Sequence, residues 1–230
     1  MSRASLLFQD HHVLEQQAFR NSDLLEALVE SGLVEKDAFA NRINMPSDRT
    51  LAQGLGISPH NGGPIRDYQQ GTMLRLSALA ESRDGIAALE GDLQAMERVA
   101  ARVHHLRDTM KLGLVNGDLF TNAPLGLHAD DIRPTTQGFF HGQRDYAQLN
   151  SRRIASLDKL SSLDHGWMAV VDSEARIVTT LEHFQRSGGL LTKGGDLELQ
   201  RSGLSLAISN AHHEGHHRRS PRLRWPPLPA

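Results

Sequence analysis

Residues 4–12 read Ala4-Ser5-Leu6-Leu7-Phe8-Gln9-Asp10-His11-His12, a short apolar run that ends in an acid and two adjacent histidines. The run has the length and composition of a strand, so the polar triplet falls at the strand's end. Successive strand side chains point to opposite faces, and two neighbouring histidines serve one site together only where the strand ends or twists. On its own the pair is ambiguous. The chain has 13 histidines, three further adjacent pairs among them at 104–105, 212–213 and 216–217, and two half-exposed residues are the ordinary reading of such a doublet.

The segments that follow give the pair its context. Asn21 reads as an N-cap leading into Leu24, Leu25, Leu28 and Val29, the spacing of an amphipathic helix that Gly32 closes. Ala40-Asn41-Arg42-Ile43-Asn44-Met45-Pro46 is too short for a helix and reads as a strand or tight loop. Pro46-Ser47 then leads into another capped helix, with Leu51 and Leu55 as its expected buried face. Glycines 54, 56, 62 and 63 frame the loop Ile57-Ser58-Pro59-His60-Asn61. Pro64 opens a helix with Ile65, Tyr68, Thr72, Leu76 and Leu79 on one side. His60 thus lies just ahead of a helix N-terminus, where backbone N–H groups favour a phosphate.

Further along, Ile86, Leu89, Leu93, Met96, Val99, Val103, Leu106 and Met110 predict one long amphipathic helix, with His104 and His105 as its packing and surface residues. Residues 113–145, rich in Gly, Asn, Asp, Pro and Thr, read as an irregular connection. A helical stretch is expected from Leu149 to Leu163, a β-hairpin from Trp167 to Leu181, and further strands within 190–208. The chain divides into a module at 1–80, the long helix at 81–112, a small C-terminal α+β module at 113–215, and a basic Pro/Arg-rich tail at 216–230 expected to be disordered.

Composition restricts the function classes. With 23% charged residues and a formal net charge of -2, the chain lacks the basic excess that advertises nucleic-acid binding, so any such function must rest on a local site. The absence of cysteine excludes disulfides and thiolate zinc sites. No apolar run reaches the length of a membrane span, and the expectation is a soluble protein.

Taken in order, His11-His12, the helix, Asn41-Arg42-Ile43-Asn44-Met45-Pro46, Ser58-Pro59-His60-Asn61-Gly62-Gly63 and Tyr68 resemble the AHH nucleases of the HNH/endonuclease VII superfamily. The resemblance covers residues 6–79. It implies an α+β fold with a ββα-metal (HNH/His-Me finger) core in mostly helical surroundings. The implied activity is metal-dependent endonuclease hydrolysis of nucleic acid, DNA ahead of RNA, in an antibacterial toxin or effector. Such a protein has an immunity protein as partner and acts in the bacterial cytoplasm, including delivery into a target cell by a secretion system.

Carried over by residue, the resemblance makes His12 the general base and Asn41 the residue that orients the base's loop. His11 and His60 become ligands of one divalent ion, which Mg, Mn, Zn and Ni fit alike, and Arg42 and Arg66 become contacts to the nucleic acid. The chain departs from the family twice: Asp10 stands where a small residue is common, and no second histidine precedes Tyr68. Asp10 is accordingly expected to complete the metal shell. Two other readings stand beside this one, a non-catalytic binding or adaptor protein that keeps a nuclease-like fold, and a metal-dependent hydrolase of another phosphoester.

Overall fold

The structure is a computed structural model that describes residues 8–155 together with 170–171 and 178–179. β1 (Phe8–His12) pairs antiparallel with β2 (Arg42–Pro46), in a register running from Phe8 opposite Pro46 to His12 opposite Arg42. His11 therefore opposes Ile43, and both are buried against the core. Their neighbours Asp10, His12 and Arg42 emerge on the other side, because a strand alternates its faces.

Between the two strands lie α1 (Gln16–Arg20) and α2 (Asp23–Glu30). Ser22, not Asn21, caps α2 by accepting the Leu25 N–H, while the Asn21 N–H closes α1 on the Gln17 and Ala18 carbonyls. Leu24, Leu25 and Leu28 form the buried face of α2, and Gly32, at φ 73°, ends it as expected. A 3₁₀ turn at Phe39–Asn41 delivers the chain into β2.

α3 (Arg49–Leu55) follows β2, and the Arg49 guanidinium ties it to the carbonyls of Ala123, Pro124 and Leu127. α4 (Arg66–Ala80) buries Tyr68, Thr72 and Leu76, the face its spacing predicts. The single long helix predicted from Ile86 to Met110 is instead two, α5 (Arg83–Leu89) and α6 (Leu93–Asn116). Gly91 adopts φ 97°, open to glycine but strained for other residues, and Asp92 restarts the chain by accepting the Ala95 N–H. The apolar period runs through this break without recording it: Ile86, Leu89 and Leu93 are all exposed.

Residues 113–145 are largely ordered, contrary to the irregular connection expected there. α6 runs on to Asn116, and α7 (Ala129–His141) and α8 (Gln143–Leu149) follow. Pro134, Gly138 and a Thr pair lower the helix propensity of α7, and tertiary packing overrides it. Ile132, Thr136, Phe139 and Phe140 share one buried face. Phe140 lies on Gly71 of α4 and Phe139 on Gly113 of α6, approaches that any Cβ would obstruct.

A cluster of buried apolar side chains extends from Val13 to Ile154, joining these elements into a mostly helical α+β fold. β3 (Val170–Val171) and β4 (Val178–Thr179) pair antiparallel at the centre of the expected hairpin. The remaining expectations lie outside the described residues: the strand start at 4–7, the strands within 190–208, the histidine pairs at 212–213 and 216–217, the tail at 216–230, and the burial of the Leu51 and Leu55 side chains. Among the described residues no helix is long and apolar enough to cross a membrane.

Candidate active site

The end of β1 is held from both sides. The Val13 N–H donates to the Asn41 carbonyl at 2.8 Å, and the Asn41 side chain accepts from the Leu14 N–H at 2.8 Å while donating to the Leu14 carbonyl at 2.9 Å. Its amide also donates to the Lys36 carbonyl at 2.9 Å. From α4, the buried Tyr68 hydroxyl donates to the Val13 carbonyl at 2.8 Å. Buried polar groups on a chain turning into the core require such partners. Asn41 thus braces the two residues that follow His12.

His11 faces inward, 5% exposed. Its ring lies edge-on to His60 at a centroid separation of 5.2 Å and to Tyr68 at 6.3 Å. Desolvation, reinforced by His60 and His12, pushes its pKa down to about 3, so the imidazole is neutral at physiological pH. Its Nε2 is buried without a hydrogen-bond partner. Burial also lowers the pKa of His60. The His60 backbone N–H donates to the Pro46 carbonyl at 2.6 Å, which latches its loop to β2. Ser58 anchors the same loop, accepting the Thr121 N–H at 2.8 Å.

These two histidines fit a shared cation in three respects. Both are held in the neutral form that coordination requires, one presents a buried and unsatisfied nitrogen, and their spacing is right. Two imidazoles bound to one tetrahedral ion at about 2.0–2.1 Å from nitrogen to metal would have centroids about 5 Å apart. They form a pair, however, and not a full shell: among the described residues no group of three or more His, Asp or Glu side chains converges as a ligand set.

His12 has a different setting on the outer face. Its Nε2 meets Asp37 Oδ1 at 2.9 Å. That hydrogen bond first, then the cations Lys36 and Arg42, holds the Asp37 carboxyl below its ordinary pKa. Arg42 Nη1 donates to Asp10 Oδ2 at 2.8 Å, and its Nη2 lies 3.8 Å from Asp37 Oδ1. Asp10, Arg42 and Asp37 thus alternate in charge along the outer face, and His12 hydrogen-bonds the last of them. Burial lowers the His60 pKa and the Asp10 carboxylate opposes it in part, so His60 feels the outer face as well as His11.

The expected residues therefore divide. His11 and His60 come together, and His12 lies next to them on the outer face, with Asn41 behind it. Asp10 is engaged by Arg42 on the face opposite His11, and Arg42 is itself occupied by two carboxylates. Arg66 is exposed at the first residue of α4, beyond the His60 loop. Sequence reasoning passed over Asp37, one acid in the undistinguished run Glu35-Lys36-Asp37, 25 residues from its partner. It also passed over Glu15, whose carboxyl burial pushes up to about 7 beside Gln69 and Tyr68. Neither position carries a spacing signal. Comparison of the chain with protein-family models, with curated protein sequences and with solved structures returns no match.

Proposed function

We propose that residues 8–80 form a metal-dependent endonuclease site of the ββα-metal kind, hydrolysing phosphodiester bonds, with DNA as the first substrate to test. The observation that carries the reading is the buried, neutral His11 with its unpartnered Nε2, set edge-on to His60 and one residue from a partly exposed His12. A buried polar atom without a partner costs about 1–3 kcal/mol, so such an atom marks a place where a ligand restores what folding removed.

His11 and His60 would hold the ion through neutral imidazoles. When bound, a divalent cation there supplies stabilisation of the charge that develops on the phosphate and the leaving oxygen. His12 takes the proton from the attacking water as general base, and its exposure on the outer face gives it access to solvent and substrate. Asn41 and Tyr68 fix the backbone that follows His12, which limits drift of the imidazole. Arg66, exposed on the first turn of α4, would meet a phosphate of the bound strand. The resemblance extends the proposal to an effector with an immunity protein as partner.

The test is nicking of supercoiled plasmid by the purified protein across a panel of divalent ions. Activity that needs an ion, disappears in EDTA and is lost in His12→Ala supports the reading; equal nicking by His12→Ala removes His12 as the base. One observation favours a second reading, a binding module without catalysis: the two-histidine pair lacks a third convergent side chain among the described residues. Titration with Zn²⁺ and Mn²⁺ separates the two, because a protein that takes up neither supports the binding module.

A further inference from the structure

Asp37 plays no part in the proposal above, yet it makes the side-chain hydrogen bond found on His12. We infer that Asp37 is the positioning residue for His12: its carboxylate holds the imidazole in the tautomer protonated at Nε2 and so reserves the Nδ1 lone pair as the base. The inference rests on the reading of His12 as the base and deepens it.

Three observations carry it. The contact is short, 2.9 Å from Nε2 to Oδ1. An ionised carboxylate can only accept, so a hydrogen bond at that distance requires the proton on Nε2. Lys36 and Arg42 lie 3.9 and 3.8 Å from the Asp37 oxygens, and such cations keep a carboxyl ionised.

The third observation is the way the pair is built. Asn41 grips Leu14, two residues after His12, and with the same amide donates to the carbonyl of Lys36, one residue before Asp37. One buried side chain thus sets both halves of the contact. An incidental surface ion pair has no such common brace, and its worth would be small. The role of Asn41 is sharpened accordingly: it orients the base's loop and the base's carboxylate together.

Nitrogen-resolved NMR of His12 tests the inference without reference to activity, with assignment by comparison with His12→Ala. At neutral pH the wild-type imidazole is expected in the Nε2–H form, with that signature weakened toward a mixture in Asp37→Ala. A wild-type Nδ1–H form, or a spectrum unchanged by Asp37→Ala, overturns the inference. On plasmid nicking, Asp37→Ala is expected to lower kcat by about 10- to 100-fold with KM little changed, the range seen when the partner that orients an active-site group is removed. The same substitution made in His12→Ala is expected to add almost nothing to the loss. An equal loss in both backgrounds, or a lowered melting temperature that accounts for it, would show a structural residue and overturn the inference. If the wild type nicks no substrate, the nuclease reading fails while the NMR result still decides whether Asp37 sets the His12 tautomer.

Discussion

The two faces of β1 carry the same side chain one residue apart and treat it in opposite ways. His11 is sealed against His60, Tyr68 and the core, where desolvation strips its proton and leaves a nitrogen unpaired. His12, partly exposed, hydrogen-bonds Asp37 at the end of the Asp10–Arg42–Asp37 network. Strand alternation alone separates them, and burial then limits what each can do: a dry neutral imidazole suits a ligand, a partly exposed hydrogen-bonded one suits a base. The difference teaches that a doublet is informative when its two members cannot share an environment.

The comparison can be broken at either histidine. The largest effect is expected from His12→Ala, which should reduce plasmid nicking by about 10²- to 10⁴-fold, the range of a lost general base, while leaving the thermal melt unchanged. Loss of fold in this variant would mean that the outer face is structural too. Asn41→Ala removes the brace common to both halves of the outer face. It should destabilise the protein by about 2–4 kcal/mol in a urea titration, because it removes the partner of the buried Leu14 N–H and of the Leu14 and Lys36 carbonyls at once.

Acid sharpens the contrast. The folded pKa of His11 lies near 3, against 6.5 when unperturbed, so below pH 6.5 the unfolded chain binds a proton that the folded chain refuses. Metal-free protein should therefore lose stability as the pH falls from about 6.5 toward about 3. Asp37, whose folded pKa is also lowered, acts in the same direction at the acid end, since its stabilising charge is lost as it is protonated. Melting temperatures in EDTA across that range provide the check, and a flat profile would contradict the buried, neutral His11.

His11→Leu should behave as the mirror image of His12→Ala. Exchanging an unsatisfied polar group for an apolar one of similar size is expected to raise the stability of metal-free protein by about 1–3 kcal/mol and to abolish metal uptake. Isothermal titration and thermal melts of the same sample would read both effects. The smallest effect is expected from Arg42→Ala, whose partners Asp10 and Asp37 are half-exposed: about 0–1 kcal/mol of stability, measured by denaturant unfolding.

Local rules made the surroundings of the candidate site legible before folding. The glycine-framed loop of His60 and the buried face of Tyr68 follow from turn chemistry and helical spacing, whereas the role of Asn41 was implied only by the resemblance, and the residue itself ends the 3₁₀ turn just ahead of β2. Helix counts were less legible. The apolar period of residues 86–110 passes across Gly91 as if the chain continued, and the poor helix formers of 129–141 concealed a helix that packing on Gly71 and Gly113 sustains. Arg42 and Asp10 were expected to meet a phosphate and a metal; in the fold they meet each other, a pairing that depends on which strand opposes which.

By itself the sequence determined that an acid and two histidines end a strand, and that an asparagine and a third histidine follow at set intervals, since strand period, turn chemistry and helix spacing are short-range properties of the chain. Only the tertiary structure decided which histidine is dry, that His60 is the residue it meets, and that Asp37 reaches His12 across 25 residues. Burial and long-range hydrogen bonds depend on how elements distant in sequence pack, and no local pattern encodes them.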